Sequence, residues 1–367
     1  MATQRITSID ALRAIVLFGI LLVHTSVVFS FVNPTNVFEW SRIGGGCNWL
    51  VSNILQYRCN KIFGMLFGIS FYLILKNPTY SPYKFVWRCV LLIGIGLLNK
   101  IFYTVDALMW YGICGMVLVL FRNFSNKWLF VSFCCVFLIS SISRDFGWFV
   151  IKLDHSPFAR YTLPASLGSI IAYPVLLAAK DYLSIISYDP FSCLWQFLIG
   201  YYFAKKGIID NLQSYIKKKN IIVFGIIYLS FFILKRFPLF GGLNGIIQNC
   251  TWLSGAIFYA MVFLWLYYKF FPKLRFLEAY GKLGLTNYSL QGIIGVILAI
   301  TVYIPNSWGI EYIYLASIAF FVIQLLFSNL WLRYFTNGPL EWAWRCLTNL
   351  KYTSPVIKTK NNVRENN

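Results

Sequence analysis

The chain has 367 residues, of which 59% are hydrophobic, 19% are aromatic and only 12% are charged, and its mean hydropathy is +0.66. This composition leaves too little polar surface to coat a water-soluble globule, and it excludes the disordered, collagen-like and disulfide-rich secreted classes. The formal net charge of +20 would suggest nucleic-acid binding in a soluble protein, so the distribution of the charges has to decide its meaning.

Apolar segments long enough to cross about 30 Å of hydrocarbon recur along the chain. We predict an all-α, polytopic helical membrane protein with one transmembrane domain, residues 1–350, and a polar basic tail, residues 351–367. The roughly ten predicted spans are, in chain order, about 11–33, 61–76, 85–104, 106–122, 127–143, 190–206, 219–236, 250–271, 284–305 and 311–335.

The basic residues predict the orientation of these spans. If the N-terminus is cytoplasmic, about two thirds of the 32 Lys and Arg residues lie on the inner side. The positive-inside rule then places both termini in the cytoplasm. The run Lys217–Lys219 and the tail are interpreted as orientation signals beside anionic lipid, and no nucleic-acid partner is expected. The first apolar run is too long for a cleavable signal and is expected to remain as a helix.

Three segments depart from a simple sequence of spans. Residues 33–60, which include Gly44–Gly46, predict an outer loop that caps an extracellular opening. Residues 163–179 are apolar but interrupted by prolines, and they predict a re-entrant or interfacial segment. Residues 339–350 predict a C-terminal amphipathic element. The nine cysteines show no zinc spacing, and only Cys47 and Cys59 share an outer loop, so one disulfide stays open as a possibility.

A titratable residue inside hydrocarbon is costly and is by default a candidate for function. His24 shares a helical stripe with Asp10 and Arg13, and about 16 Å separate Arg13 from His24 at 1.5 Å per residue. An imidazole there can take a proton from a hydroxyl or amine and return it near neutral pH. Two plainer interpretations stay open: His24 as a neutral hydrogen-bonding residue, and Asp10 with Arg13 as an ion pair at the helix start.

Further polar residues mark the third-to-fourth hairpin and the ninth span. Asn99, Asp106 and Tyr111 surround a tight turn, where Asp106 either caps the fourth helix or, with Asn99, orients the histidine of the first span. Asn287 and Gln291 share one face of the ninth span, and such residues either hold helices together or line a cavity.

The segment after the last span contains Glu341, Trp342 and Arg345, a composition typical of an interfacial anchor. The sequence has no Walker A, GxSxG, HExxH or GxGxxG pattern and no Cys/His metal motif. It therefore indicates a membrane-embedded site without metal, and it does not indicate a particular reaction.

Several segments resemble, in order, the motifs of the YeiB-like multispanning bacterial membrane family over nearly the whole chain. They are residues 5–24, 60–71 (NKIFGMLFGISF), 87–115 (WRCVLLIGIGLLNKIFYTVDALMWYGICG), 197–207 (FLIGYYFAKKG), 281–291 (GKLGLTNYSLQ) and 331–348 (WLRYFTNGPLEWAWRCLT). The Asp-x-x-Arg first helix of that family resembles those of the acyltransferase-three proteins and of the heparan-glucosaminide N-acetyltransferase type. This resemblance implies an acyl donor, typically acetyl-CoA, at the cytoplasmic face and an acceptor at the opposite face.

Position by position, the resemblance assigns motif residues along the chain. They are Asp10 and Arg13 on the first helix, Lys61 before the second, Arg88 and Asp106 in the hairpin, Asn287 and Gln291 on the ninth helix, and Gly338, Pro339, Glu341, Trp342 and Arg345 at the C-terminus. Three positions depart from the YeiB-like pattern: Ala14 replaces Gly, His24 replaces Asn and Asn99 replaces His. The first helix is thereby closer to the acyltransferase-three pattern.

The leading hypothesis is a membrane O- or N-acyltransferase that uses an acyl-CoA donor and an envelope glycan, lipid or small-molecule acceptor. The resemblance specifies the donor as acetyl-CoA. The expected residues are His24 as general base, Asp106 and Asn99 as orienting groups, Asp10, Arg13, Arg88 and Arg122 at the donor site, and Lys61, Tyr111, Asn287 and Gln291 along the substrate cavity. The competing hypothesis is a small-molecule transporter or export factor that uses the same residues, although no paired broken helices are found. A third is a non-enzymatic partner in envelope assembly. The oligomeric state is not predicted.

Overall fold

The computed structural model describes residues 6–32, 42–77, 80–102, 106–146, 190–237, 243–271, 273–301 and 310–356. Within these ranges the chain is helical, and one antiparallel bridge joins Phe335 to Val356. The helices are α1 (Thr7–Val32), α2 (Arg42–Leu50), α3 (Arg58–Leu75), α4 (Pro82–Phe102), α5 (Leu108–Leu118), α6 (Asn126–Asp145), α7 (Pro190–Lys205), α8 (Leu212–Tyr215), α9 (Lys218–Leu234), α10 (Asn244–Phe270), α11 (Phe276–Lys282), α12 (Gly284–Thr301), α13 (Ile310–Tyr334) and α14 (Pro339–Asn349).

Each of the ten predicted spans overlaps one of these helices, because a long apolar run favours a helix, which satisfies its own backbone polar groups. In the described part of the chain, five segments are long and apolar enough to cross a membrane: Thr7–Thr25, Ile43–Leu75, Asn126–Asp145, Asn244–Phe270 and Ile310–Tyr334. The described part of the chain is therefore helical, with five candidate membrane-spanning helices. The predicted re-entrant segment, 163–179, lies outside the described residues.

The predicted outer loop is wrong for much of its length. Residues 42–50 form α2, and a π-helical turn, Val51–Leu55, leads on toward α3. The three glycines lower helix propensity, but tertiary contacts override it: the Tyr314 hydroxyl of α13 donates to Asn48 of α2 at 2.9 Å. Between this turn and α3, Tyr57 has a positive φ of 68°. Cys47 and Cys59 are free thiols, so no disulfide joins them.

Small residues set the closest helix contacts. A Cβ on Gly68 of α3 would overlap the carbonyl oxygen of Phe197, and one on Gly200 of α7 would overlap that of Met65. The α3/α7 pair is thus packed backbone to backbone, as in other membrane helices with small interface residues. A Cβ on Gly281 of α11 would likewise overlap the carbonyl oxygen of Asp10, which brings α11 against the first turns of α1.

Helix α1 lies centrally in the bundle and contacts α3, α10, α11, α12 and α13. Its residues Ala11, Ala14 and Leu17 are fully buried. The first half of α1 lies with the end of α3 and the starts of α4 and α12, whereas its later residue His24 lies with the end of α4 and the start of α5. Helix α1 therefore connects two separate polar regions of the bundle.

Candidate functional site

A first polar cavity, beside Arg13 and Arg88, is partly open and has a volume of about 280 Å³. Four cations lie on its wall, Arg13, Arg88, Lys282 and Arg345, and among the described lining residues the acidic one is Glu341. Most of the remaining wall is aromatic or aliphatic, and includes Phe63, Phe67, Phe71, Phe85, Tyr111, Tyr288 and Trp344. This combination suits a ligand that has an anionic part and a slender apolar part.

Arg13 is fixed at the cavity wall by two hydrogen bonds. One guanidinium nitrogen donates to Asp10 at 2.8 Å and the other donates to the Ser70 hydroxyl of α3 at 2.7 Å. Asp10 is itself buried. The ion pair that the sequence left open as an alternative is present, and it orients Arg13 toward the cavity.

Arg88 is held by the C-terminal helix. Its guanidinium carbon lies 3.9 Å from the centre of the Trp344 ring, and the Trp344 indole N–H donates to the Arg88 carbonyl at 3.1 Å. Stacking on an aromatic face restricts the guanidinium to one plane while its N–H edges remain able to bind an anion. Helix α14 thus forms part of the cavity wall.

Glu341 joins α14 to the start of α12. Its carboxylate accepts from the backbone N–H groups of Leu285 and Thr286 at 2.7 and 3.1 Å, and from the Thr286 hydroxyl. A carboxylate in this position satisfies backbone donors that a helix start leaves unpaired. Burial raises the pKa of the Glu341 carboxyl above its usual range, and these hydrogen bonds oppose the rise.

The interfacial-anchor interpretation of this segment stays a prediction, and the structure adds contacts with the protein to it. Glu341 caps α12, Arg345 lines the cavity, and the Trp342 indole N–H donates to the Thr353 carbonyl at 2.7 Å. The predicted amphipathic element is a helix, α14. Some of its polar side chains form hydrogen bonds with other parts of the protein.

A second polar pocket, of about 10 Å³, is lined by His24, Asn99, Asp106, Tyr288 and Ser289, with Gly292 and Ile293. A pocket of this size holds about one water molecule. The Asn99 amide donates to the Ser289 hydroxyl at 3.1 Å. The three residues that the sequence proposed as catalytic are brought together here, although their roles stay predictions.

Asp106 is the buried acid of this pocket, with 3% of its surface exposed. Ala107 occupies the N-cap position of α5 without a side-chain cap, whereas the backbone N–H of Leu108, the first residue of α5, lies beside the Asp106 carboxyl group, so the capping interpretation of Asp106 stays open. Tyr288 and Asn99 neighbour its carboxyl group. Neither carboxylate oxygen makes a hydrogen bond of standard geometry within the described part of the chain. A buried carboxyl in this condition can act on a neighbouring imidazole or on a ligand.

Tyr288 lines both cavities, and the sequence analysis did not identify it. Its hydroxyl accepts from the Ala107 N–H at 3.3 Å, its ring stacks on Phe63 at 6.4 Å, and the His24 ring meets it edge-on at 6.1 Å. Tyr288 lies four residues after Gly284, the first residue of α12, which is about 6 Å along the helix at 1.5 Å per residue. Its place within the LTNYSLQ motif was the available signal.

Two predicted donor or substrate residues lie elsewhere. Arg122 is exposed beyond the end of α5 and lines a different cavity with Lys76 and Lys205, so it does not join Arg88. Lys61 is buried, and its ammonium donates to the Ser192 hydroxyl at 2.6 Å and lies 4.9 Å from the centre of the Trp252 ring. Neither residue lines the two cavities described above.

Asn287 and Gln291 also face away from both cavities. The Asn287 amide donates to the Ser328 hydroxyl at 3.0 Å, and the Gln291 amide donates to the Tyr280 hydroxyl at 2.7 Å. Tyr280 donates in turn to Gln324 at 3.0 Å. Of the two interpretations left open, the structure favours a network that holds α11, α12 and α13 together.

Among the described residues, no three His, Cys, Asp or Glu side chains form a group that could hold a metal ion. Residues 203–351 match the family described as "Protein of unknown function (DUF418)". Over nearly its full length the chain is 25% identical to protein YeiB of Escherichia coli (strain K12), covering 96% of this chain and 98% of YeiB. These matches show that the chain is similar to the YeiB-like family.

Two further relatives extend this similarity to other bacteria. The chain is 26% identical to protein YxaH of Bacillus subtilis (strain 168), with 98% of each chain covered. It is also 26% identical to a 39.9 kDa protein encoded in the amylase 3' region of Bacillus acidopullulyticus, with 97% of each covered. All three relatives are described as uncharacterized, so a reaction for this YeiB-like chain has to be argued from its own residues.

Proposed function

We propose that this YeiB-like protein is an integral-membrane acyltransferase. It takes an acyl group, acetyl in the simplest case, from a CoA thioester at the cytoplasmic face and transfers it to a hydroxyl or amine of an envelope glycan, lipid or small molecule. The proposal includes ten membrane spans, both termini in the cytoplasm and a place in the bacterial inner membrane, as the distribution of Lys and Arg favours.

The observation that carries the proposal is the pairing of the two polar cavities at Tyr288. The larger one has four cations on its wall, and the smaller one contains His24 and Asp106. A donor with phosphate groups matches the basic cavity, and its thioester arm would extend between the aromatic residues toward Tyr288. A reaction that needs a proton acceptor beside the thioester matches the second pocket.

The proposed chemistry uses the residues of the small pocket. The acceptor hydroxyl or amine gives its proton to the His24 imidazole while its oxygen or nitrogen bonds to the thioester carbonyl carbon. The carbon–sulfur bond then breaks, and the CoA thiolate takes the proton back from His24. Asp106 stabilises the transient imidazolium, and Asn99 helps to position the pocket through Ser289.

The proposed donor site differs from the one that the sequence predicts. Arg88, Lys282 and Arg345 would bind the phosphate groups, whereas Arg13 is already paired with Asp10. Removing Arg13 would leave Asp10 buried without this partner, so an Arg13 variant would confuse loss of binding with loss of folding.

Acetyl-CoA binding by the purified full-length protein in nanodiscs tests the donor site. We expect Arg345→Gln to weaken binding about tenfold or more, since a charge-assisted hydrogen bond contributes about 1.5–3 kcal/mol. His24→Gln should retain binding, because His24 lies in the other pocket. The matched control is Arg275→Gln, an exposed inner-side arginine that does not line the cavity.

The proposal fails if the wild-type protein shows no saturable acetyl-CoA binding, or if Arg275→Gln weakens binding as much as Arg345→Gln. In that case the intramembrane His24 and Asp106 would be better explained by proton-coupled transport, and solute flux would be the next assay.

A further inference from the structure

An apolar cavity lies on the other side of α1 and α3 from the basic one, and the proposed reaction makes no use of it. It is partly open and has a volume of about 240 Å³. Leu66 separates the two cavities and lines both. Apart from Tyr215 and Asn220, every residue on its wall is apolar, which excludes a phosphate group or a sugar from its interior.

This cavity is lined by helix ends that lie at the cytoplasmic side in the proposed orientation. Ile9 comes from the first turn of α1, Ile69 from the last third of α3, Phe203 from the last turn of α7 and Leu264 from the last third of α10. Asn220 comes from the first turn of α9. The cavity therefore opens at the depth of the inner leaflet.

A row of exposed lysines borders the cavity. Ile216 and Asn220 both line it, and the three residues between them are Lys217, Lys218 and Lys219, all exposed. Lys205 and Lys206 stand at the other end of the same connection, in which Asp210 is the acidic residue. An orientation signal requires only positive charge on the cytoplasmic side. These lysines also lie next to an apolar cavity, which an orientation signal does not require.

An apolar space of this size that opens to hydrocarbon is filled most favourably by a lipid chain, since no water can be satisfied there. Cations within a few residues of the opening attract an anionic headgroup, and each contributes about 1 kcal/mol. We infer that the cavity binds one anionic phospholipid, with an acyl chain among Ile9, Met65 and Met261 and the phosphate at Lys217–Lys219. This inference does not depend on the acyltransferase reaction, but it rests on the proposed orientation of the helices in the membrane.

Native mass spectrometry of the full-length protein, exchanged into micelles with either phosphatidylglycerol or phosphatidylcholine, tests the lipid site. Wild type should retain one phosphatidylglycerol molecule and prefer it over phosphatidylcholine. Ala260→Trp, which fills the cavity, should lose it, and the milder Ala260→Leu should weaken retention. Ile226→Trp is the matched control, because Ile226 is 60% exposed and does not line the cavity.

The headgroup is tested separately by exposed variants that keep the fold. Lys217→Gln/Lys218→Gln/Lys219→Gln should reduce the preference for phosphatidylglycerol about tenfold or more, while Lys273→Gln/Arg275→Gln, on a neighbouring exposed loop, should not. Inorganic phosphate in excess should not displace the lipid. The inference is overturned if wild type retains the two lipids equally. It is also overturned if Ala260→Trp retains lipid as well as Ile226→Trp does, or if phosphate alone displaces the lipid.

Discussion

Glu341 gives a sharp prediction because one carboxylate joins two helices. It accepts hydrogen bonds from the Leu285 N–H, the Thr286 N–H and the Thr286 hydroxyl. The Thr286 hydroxyl oxygen also accepts from the Leu340 N–H at 3.1 Å. The substitution Glu341→Gln keeps the side-chain volume and one acceptor oxygen. It replaces the other oxygen, which accepts from the Thr286 hydroxyl, with an amide N–H₂ group that cannot accept this hydrogen bond.

The magnitude follows from the number of donors affected. One charge-assisted bond is lost and two become neutral, so we expect Glu341→Gln to lower the free energy of unfolding by about 1–2 kcal/mol. Glu341→Ala leaves all three donors without this acceptor, and we expect a loss of about 2–4 kcal/mol. Because α14 carries Trp344 and Arg345, both variants should also weaken acetyl-CoA binding.

The assay is reversible denaturant unfolding of the purified protein in micelles, with tryptophan fluorescence as the readout. Asp210→Asn is the control, since Asp210 is an exposed acid in a turn. If Glu341→Gln unfolds at the same denaturant concentration as wild type, or if Glu341→Ala is no worse than Asp210→Asn, the carboxylate does not hold α14 against α12 and the reasoning is refuted.

Three further predictions concern the helix contacts around the site. Gly281→Ala should cost about 1–3 kcal/mol because its Cβ would overlap the Asp10 carbonyl oxygen, whereas Gly284→Ala, whose Cβ would lie 3.5 Å from Leu17, should be nearly neutral in the same unfolding assay. Lys61→Met should lower stability by about 1–3 kcal/mol through loss of its hydrogen bond and ring contacts, with acetyl-CoA affinity unchanged in a binding titration; a large affinity loss would place Lys61 at the donor site after all. Tyr288→Phe should cost about 1 kcal/mol through the lost bond from Ala107, and unaltered unfolding would show that this bond is unimportant.

The helical architecture was predictable from sequence because lipid imposes a strong and local rule. A backbone in hydrocarbon must satisfy its own polar groups, so each long apolar run became one helix at nearly the expected place. The rule does not extend to short segments with unusual composition. Residues 42–50 contain three glycines, and their helix depends on contacts with α13 that sequence does not show.

The candidate site was predictable only in part, and for a related reason. His24, Asn99 and Asp106 stand out because polar groups in a membrane are costly, and the structure places them in one pocket. Arg88 stands out as a charge, but its stacking on Trp344 joins residues far apart in the chain. Tyr288 is an ordinary tyrosine in sequence, and its position between two cavities depends entirely on packing.

The most direct test of the central claim is transfer of a labelled acetyl group by the protein in its membrane. Inside-out vesicles that contain the full-length protein would receive acetyl-labelled acetyl-CoA on their exposed cytoplasmic face, and label in envelope material would be counted after the nucleotide is removed. We predict labelling by wild type and by Arg275→Gln, and a reduction of about a hundredfold or more in His24→Gln, the range expected for a general base. The account is contradicted if His24→Gln labels envelope material as much as wild type does. It is also contradicted if wild-type vesicles show no more labelling than vesicles that lack the protein.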